Sequence, residues 1–297
     1  PPFSCIGLDC FGPFYVKIGR AEVKRYGCVF TCFCTRAIHI EKLDSLETDS
    51  FLNGFRRFSA RRGYPVKACS DNGTNITGAQ AELSKAVRQL DRRQIQAFSV
   101  QHEVECHFNP PHASHMGGLW ERMIRTIRRV MSAVLKDCRL NDEVLVTLLC
   151  EVEAIVNSRP LTKVSDDVKD MATLTPNHLL LLREGPKAMP GEFGPGDMYR
   201  KRWRYIQHLA DQFWRRWVRE YLPILQHRRK WTQEKVNVKV GDVVLVCDET
   251  TPRSLWPMGL VVEVKLGRDD LVRSVKVKTK SSELVRPITK VVMLEAS

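Results

Sequence analysis

Short apolar runs alternate with stretches of helical period over residues 1 to about 165. Strand-like runs fall at Phe3–Asp9, Cys28–Cys34, Ala37–Leu43, Val66–Ser70 and Val104–Phe108. Phe51, Phe55 and Phe58 recur at helical spacing within Ser50–Arg61, and Asp142–Asn157 is rich in Leu and Val with acids outside, so both predict helices. The clearest face runs from Leu119 to Leu135, where Trp120, Met123, Ile124, Ile127, Val130, Met131, Val134 and Leu135 recur every three or four residues. Three strands, a helix and a further strand fit a mixed sheet sandwiched by helices.

The pattern changes in the second half. Ser165–Asp170 and Gly185–Asp197 read as linkers. From Arg200 to Lys230 a long helix is expected, with Trp203, Tyr205, Phe213, Trp214, Trp217, Tyr221 and Trp231 on its apolar side; their helical spacing favours packing over base stacking. Four β-rich runs follow (Asp242–Asp248, Gly259–Leu266, Val272–Thr279, Val285–Leu294) and predict a small barrel. In Gly267–Asp270 the glycine comes first where a hairpin prefers it last, so a strained or open turn is expected there.

Charge narrows the partners. The 297 residues carry a net charge of +13, which favours a polyanion, although basic composition alone is a weak signal. The charge is uneven: between Arg200 and Lys230 ten basic residues stand against two acids. A solvated face is the bland alternative, but so one-sided a run favours DNA contact through Arg200, Arg202, Arg204, Arg215, Arg216 and Arg219. The ten cysteines form no readable disulfide or zinc framework. Cys32 and Cys34 alternate in an apolar strand and are expected on one face as small core residues. No cysteine pair at zinc-finger spacing accompanies His107, His112 and His115, so no zinc is expected there. With no signal peptide or membrane-spanning run, an intracellular setting is expected.

Three acids stand in settings that suit metal chemistry. Asp9 follows Cys5, Ile6 and Leu8, and Asp71 follows Val66–Ser70, so both are expected at the mouths of buried strands; Asn72-Gly73 is a turn signal that ends the second. Glu121 opens the helix after Gly117-Gly118 and shares a flank with Arg125, Arg128 and Ser132. Mg²⁺ takes oxygen ligands and keeps positions open for water and phosphate, and two ions about 3.5–4 Å apart can promote an in-line displacement. Taken singly, each acid is better read as a turn, cap or helix-start residue. Together, with these flanks, they predict a metal site acting on a phosphodiester.

Longer blocks carry a family likeness. Asp9-Cys10-Phe11-Gly12-Pro13-Phe14, Phe30–Glu41, Ser70-Asp71-Asn72-Gly73-Thr74-Asn75, Asn109–Arg122 with His115 in it, Val156–Thr162, Leu174–His178, Phe213–Trp217 and Gly241–Val246 together resemble the integrase of BEL/Pao-type long-terminal-repeat retrotransposons. Cys106 and Ser114 depart from the family pattern, which more often has an aromatic and a proline there. The resemblance implies a ribonuclease-H-like core with Asp9, Asp71 and Glu121 as a D,D,E catalytic triad and metal ligands. It implies two Mg²⁺ (or Mn²⁺) ions, and DNA contacts from Asn72, Thr74, Asn75, His115, Arg125 and Arg128 beside the basic helix. The expected organisation is α/β: a catalytic core over 1–165, a linker and basic helical segment over 166–233, and an SH3-like barrel over 234–297. Element ends and target DNA are the expected partners of a homo-oligomer, with no membrane and no small-molecule cofactor. It would work in the nucleus, after a cytoplasmic or particle-associated stage. A ribonuclease H and a domesticated, catalytically silent DNA-binding protein are the rival readings. Such integrases carry a zinc module ahead of the core, and Pro1 lies only eight residues before Asp9, so a piece of a polyprotein is expected.

Overall fold

The computed structural model describes residues 1–70, 90–108, 118–136, 138, 140–163, 173–186, 188–199, 202–225, 238–246, 251, 253, 255–267, 271–280 and 282–295. The chain is mixed α/β and divides into two compact units, Pro1–Asn157 with Met189–Phe213, and Ser158–Ala188 with Trp214–Ser297. Among the described residues, no helix is long and apolar enough to cross a membrane.

The first unit is built on a five-stranded sheet of β1 (Cys5–Ile18), β2 (Ala21–Cys32), β3 (Ile38–Leu43), β4 (Lys67–Ser70) and β5 (Glu105–Phe108), in the order β3-β2-β1-β4-β5. β1 runs antiparallel to β2 and parallel to β4, and β4 is parallel to β5. β1 continues well past Asp9, because Ile18 and Ala21 pair across a two-residue loop whose first member, Gly19 at φ 61°, takes the backbone angle such a loop needs. That hairpin was illegible as strand because its residues are polar and half exposed. β2 ends at Cys32. Phe33 to Thr35 then turn, so Cys32 is buried and Cys34 exposed, not two thiols on one strand face.

Helix α1 (Thr48–Arg62) buries Phe51, Phe55 and Phe58, and Phe58 stacks on Phe30 of β2 at 4.2 Å. Helix α2 (Arg92–Gln101) is capped by Asp91, whose side chain accepts from the amides of Arg93 and Gln94. Its apolar stripe is thin, which hid it from the periodicity. Helix α3 (Gly118–Leu135) and helix α4 (Asp142–Asn157) lie where the sequence puts them. Asn141 starts α4, with Oδ1 accepting from Val144 N at 2.8 Å.

β3 forms one edge of the sheet and is nearly all buried. Helix α4 satisfies that edge with side chains. Asn157 accepts from Ile38 N and donates to Ile38 O, both at 2.8 Å, and Glu153 accepts from Ile40 N at 2.9 Å. Between β3, α1 and α4 lies a buried charge cluster. His39 Nε2 meets Glu41 at 2.9 Å, its Nδ1 meets Glu153 at 3.2 Å, Arg57 and Arg61 reach Glu41 at 2.8 and 3.1 Å, and Arg62 reaches Glu153 at 2.8 Å.

In the second unit, β6 (Thr162–Lys163) pairs with β7 (Thr173–Leu174) ahead of helix α5 (Pro176–Leu181). Thr175 and His178 cap α5 reciprocally with Pro176 in its first turn, so the block Leu174-Thr175-Pro176-Asn177-His178 is a helix start. A second five-stranded sheet, all antiparallel, has the order β11-β10-β9-β8-β12, from β8 (Val243–Val246), β9 (Met258–Leu266), β10 (Val272–Thr279), β11 (Glu283–Pro287) and β12 (Val291–Glu295). The last predicted run is therefore two strands, split by a 3-10 turn at Ile288–Lys290. Gly267 N donates to Leu271 O at 2.8 Å across the predicted open turn, whose residues 268–270 lie outside the described residues.

Helix α6 (Arg202–Leu225) gives its first half to one unit and its second to the other. Tyr205, Phe213, Trp214, Trp217 and Tyr221 are buried, as a packing role requires, whereas Trp203 is about half exposed; Trp231 lies outside the described residues. Trp214 meets Trp256 edge-on at 4.9 Å.

The charge cluster predicts how stability varies with pH. Burial of His39 opposes its protonation, but hydrogen bonds to Glu153 and Glu41 outweigh it and raise its pKa. Burial also opposes ionisation of Glu41, while hydrogen bonds from His39 and Arg57 and the charge of Arg61 bring its pKa down. The His39 contribution is complete below the unfolded histidine pKa of about 6.5 and is lost as pH rises through the raised folded value. That of Glu41 is complete above about 4.3 and is lost as pH falls through its lowered value. Urea unfolding of His39→Gln at pH 6 should show a loss of about 3 kcal/mol against the parent. The loss should shrink toward pH 9; a difference constant across that range would contradict the assignment.

Candidate active site

β1 is central and gains a partner on each side. Its described parallel pairing with β4 covers Cys5 to Leu8, with Leu8 opposite Ser70, and its antiparallel pairing with β2 continues beyond, with Asp9 opposite Val29. Ser70, the residue bonded to Asp71, thus pairs with Leu8, the residue bonded to Asp9. Asp9 lies within a 14-residue strand, one residue past Leu8. Two residues on, the register shifts between Phe11 and Phe14 around Gly12 at φ 127°, a bulge of the kind that bends a strand.

Helix α3 packs along β1 and buries Met123, Ile124, Ile127, Val130, Met131 and Leu135. Between Ile127 and Val130 of that stripe, Arg128 reaches Asp9, Nη1 donating to Oδ2 at 3.0 Å. Glu121 is in α3, seven residues before Arg128 and so on nearly the same helix face, about 10 Å nearer the N-terminus. Helical side chains lean toward the N-terminus, so Arg128 leans toward the turn that carries Glu121. The Asp9–Arg128 contact escaped the sequence reading; the seven-residue spacing from Glu121 was its only signal.

Asp71, Asn72, Thr74, Asn75, His115 and Arg200 lie outside the described residues, as does the side chain of Glu121. Among the described residues, no group of three or more His, Cys, Asp or Glu side chains is placed to hold a metal ion. The fit of Asp9 to such an ion is a matter of donor chemistry. Its carboxylate is a hard oxygen donor, partly exposed, and already takes a cationic partner.

The basic side chains divide by what they touch. Arg125 is exposed on α3. Arg202 pairs with Glu143 at 3.2 Å, both highly exposed. Arg204 donates to Asp197 at 2.8 Å and to Glu192 O at 2.7 Å, and its guanidinium lies over the rings of Phe193 and Trp203. Hydrogen bonds from Gly194 N and Arg204 hold the Asp197 carboxyl below its ordinary pKa. Arg216 pairs with Glu220 one turn on at 2.8 Å, and Arg215 and Arg219 are exposed one turn apart.

Three comparisons bear on kinship. The model of a family of unknown function, DUF5641, matches residues 201–294. No curated protein matches this chain. The simian T-cell lymphotropic virus intasome, solved in complex with PP2A regulatory subunit B56 gamma, is similar with a TM-score of 0.40 and 9% identity over 98% of this chain and 78% of that one. The HTLV-2 integrase catalytic core domain in complex with magnesium is similar in its trimeric form with a TM-score of 0.34 and 17% identity over 55% of this chain and 90% of that one. Its dimeric form gives a TM-score of 0.33 and 17% identity over 52% and 87%.

The two classes of arginine predict different responses. Replacing Arg215 and Arg219 together by Gln should lower the slope of log affinity for duplex DNA against log salt by about 2, at about 0.9 per lost phosphate contact, with thermal stability unchanged. Arg204→Gln should instead lower the melting temperature and leave the slope alone, because its donors are spent inside the protein. Fluorescence anisotropy over a salt series separates the two; identical slopes in all three proteins would remove the exposed pair from the DNA surface.

Proposed function

We propose that this chain is an integrase of the BEL/Pao retrotransposon type, a D,D,E polynucleotidyl transferase that inserts element DNA ends into target DNA. One observation carries the reading. Leu8, the residue before Asp9, pairs with Ser70, the residue before Asp71, and the helix that bears Glu121 packs on that same strand and reaches Asp9 through Arg128. Asp9 thus lies on β1, Asp71 follows the last described residue of β4 in sequence, and Glu121 lies on the helix packed along β1, which supports reading the three acids as one site. The mixed sheet flanked by helices supports the ribonuclease-H-like reading of the core, and the small antiparallel sheet at the C-terminus supports the SH3-like one.

In the proposed chemistry a water oxygen attacks a phosphodiester near the element's end, a P–O bond forms, and the bond to the departing 3′ oxygen breaks. The freed 3′-hydroxyl then attacks a target phosphodiester, exchanging one P–O bond for another with no net oxidation. Bound Mg²⁺ or Mn²⁺, two ions in the proposal, would supply Lewis acidity, so that the attacking oxygen gives up its proton to solvent more readily. Asp9 and Asp71 would hold both ions and Glu121 the second. Arg125, Arg128 and the exposed arginines of α6 would track phosphates, with Asn72, Thr74, Asn75 and His115 placing the DNA end. A homo-oligomer acting on nuclear DNA completes the proposal.

Strand transfer with a labelled duplex bearing candidate element ends tests it. The chain should join ends to target DNA in Mg²⁺, and Asp71→Asn should lower the rate on the order of a thousandfold or more while duplex affinity stays within about twofold. Binding without joining would favour the silent DNA-binding protein, and cleavage of RNA in a hybrid would favour the ribonuclease H. Near-parental joining by Asp71→Asn would assign the role to another acid.

A further inference from the structure

The turn between β2 and β3 holds two thiols in unlike settings. Cys32, at the end of β2, is wholly buried, and Cys34 two residues on is exposed. The chain reverses there, with Arg36 N donating to Cys32 O at 3.1 Å and Cys32 N donating to Ala37 O at 2.8 Å. Residues two apart have Cα atoms at most about 7 Å from each other, and a turn brings them closer, into the range of about 4.4–6.8 Å that a disulfide spans. The Cys32 sulfur sits among donors. Phe3 N donates to Sγ at 3.1 Å and Thr35 N at 3.4 Å, and the Cys34 amide and the Thr35 hydroxyl add further hydrogen bonds. A neutral thiol is a weak acceptor, whereas a thiolate satisfies several donors at once. Burial pushes the Cys32 thiol up, but those hydrogen bonds outweigh it and bring its pKa below the ordinary value. Cys28, equally buried, shows the contrast: burial and its hydrogen bond with Cys10 hold its pKa well above that value.

We propose that Cys32 and Cys34 form a reversible thiol–disulfide site, in which Cys34 meets small-molecule disulfides from solvent and Cys32 closes the ring behind it. The site is independent of the integrase reading. In the first step the Cys34 sulfur, as thiolate, attacks one sulfur of oxidised glutathione; a mixed disulfide forms, and one glutathione thiolate leaves. Cys32 Sγ then attacks Cys34 Sγ, the bond to glutathione breaks, and the second glutathione thiolate departs and takes up a proton. The dithiol gives up two electrons and two protons, and one oxidised glutathione becomes two reduced ones. Burial does not hinder Cys32, because its target is a neighbour in the same turn and not a solute. The donors around its sulfur favour the reduced state, and ring closure draws the sulfur away from them, so the disulfide is easily opened again. Phe3 N, ahead of β1, is among the donors that closure leaves behind.

Incubation of the intact chain with oxidised glutathione, followed by acid quenching, alkylation of the remaining thiols, digestion and mass spectrometry, provides the test. The tryptic peptide Tyr26–Arg36 carries Cys28, Cys32 and Cys34. In the parent this peptide should become two hydrogens lighter, with Cys28 alone alkylated, after a transient glutathione adduct at Cys34. Cys32→Ser, whose hydroxyl still accepts from the same donors, lacks the closing thiol, so its Cys34 adduct should persist at about tenfold or more above the parent level. Cys34→Ser should show neither adduct nor disulfide in this peptide. About a hundredfold excess of reduced over oxidised glutathione should return the parent to the dithiol. A Cys34 adduct that persists in the parent, two thiols that stay reduced, or a bond from either to Cys28 overturns the proposal. Should Cys32→Ser fail to fold, the parent time course decides: an adduct that rises and falls as the disulfide appears supports ring closure, and one that only accumulates refutes it.

Discussion

A strand at the edge of a sheet offers a row of amide and carbonyl groups that no neighbouring strand will meet, and burying such groups unpaired costs more than burial of its side chains returns. β3 faces that constraint in full, because it is buried along nearly all its length. The amide of Asn157 imitates a missing strand by accepting and donating at Ile38, and the Glu153 carboxylate takes the next outward amide. Using a carboxylate for this buries a charge, which then demands cations. His39, Arg62 and, through Glu41, Arg57 and Arg61 supply them. The registration of α1 and α4 against the sheet follows from that chain of obligations, and with it the fixed frame on which β1 and α3 are mounted.

Within that frame the candidate site owes its place to β1, the central strand of the sheet, which runs for 14 residues and carries Asp9 directly after Leu8, the partner of Ser70 in β4. Helix α3 packs along this strand, and a bulge follows Asp9 between Phe11 and Phe14. Set within a long strand yet partly exposed, Asp9 presents its carboxylate firmly without burying it. Hard-cation chemistry asks for that combination, because a buried acid would lose its charge and a mobile one would lose its geometry.

Much of this was legible in the sequence, and the limits have physical causes. Helices with dense apolar stripes, α1, α3 and α4, could be placed to within a few residues because their burial writes a strong period. The distal β1–β2 hairpin could not, since it is half exposed and its alternation is diluted by Lys17, Arg20, Glu22 and Lys24. The Cys32-Phe33-Cys34 alternation misled because a turn begins where the apolar run still continues. His39 and Glu41 stood in view as an alternating polar pair in a buried strand, but their partners come from α1 and from Glu153 over a hundred residues away. Asp9 and Glu121 drew attention by their flanks, whereas Arg128 as the partner of Asp9 required knowing how α3 lies on β1. Nor could composition reveal that residues 158–188 associate with the C-terminal strands.

The C-terminal sheet has β11 at one edge and β12 at the other, yet only residues 288–290 separate Pro287 from Val291. Four backbone steps span at most about 14 Å, and a 3-10 turn spans less. In a flat sheet of five strands the outer two stand about 19 Å apart. The sheet must therefore curl until its margins approach each other, and the brevity of that link enforces the curvature without help from side chains. A rolled sheet of this kind leaves little straight margin for the strand of another molecule to zip onto. For a protein proposed to assemble in several copies on DNA, that geometry discourages fibril-like stacking of its C-terminal unit and leaves association to side-chain surfaces.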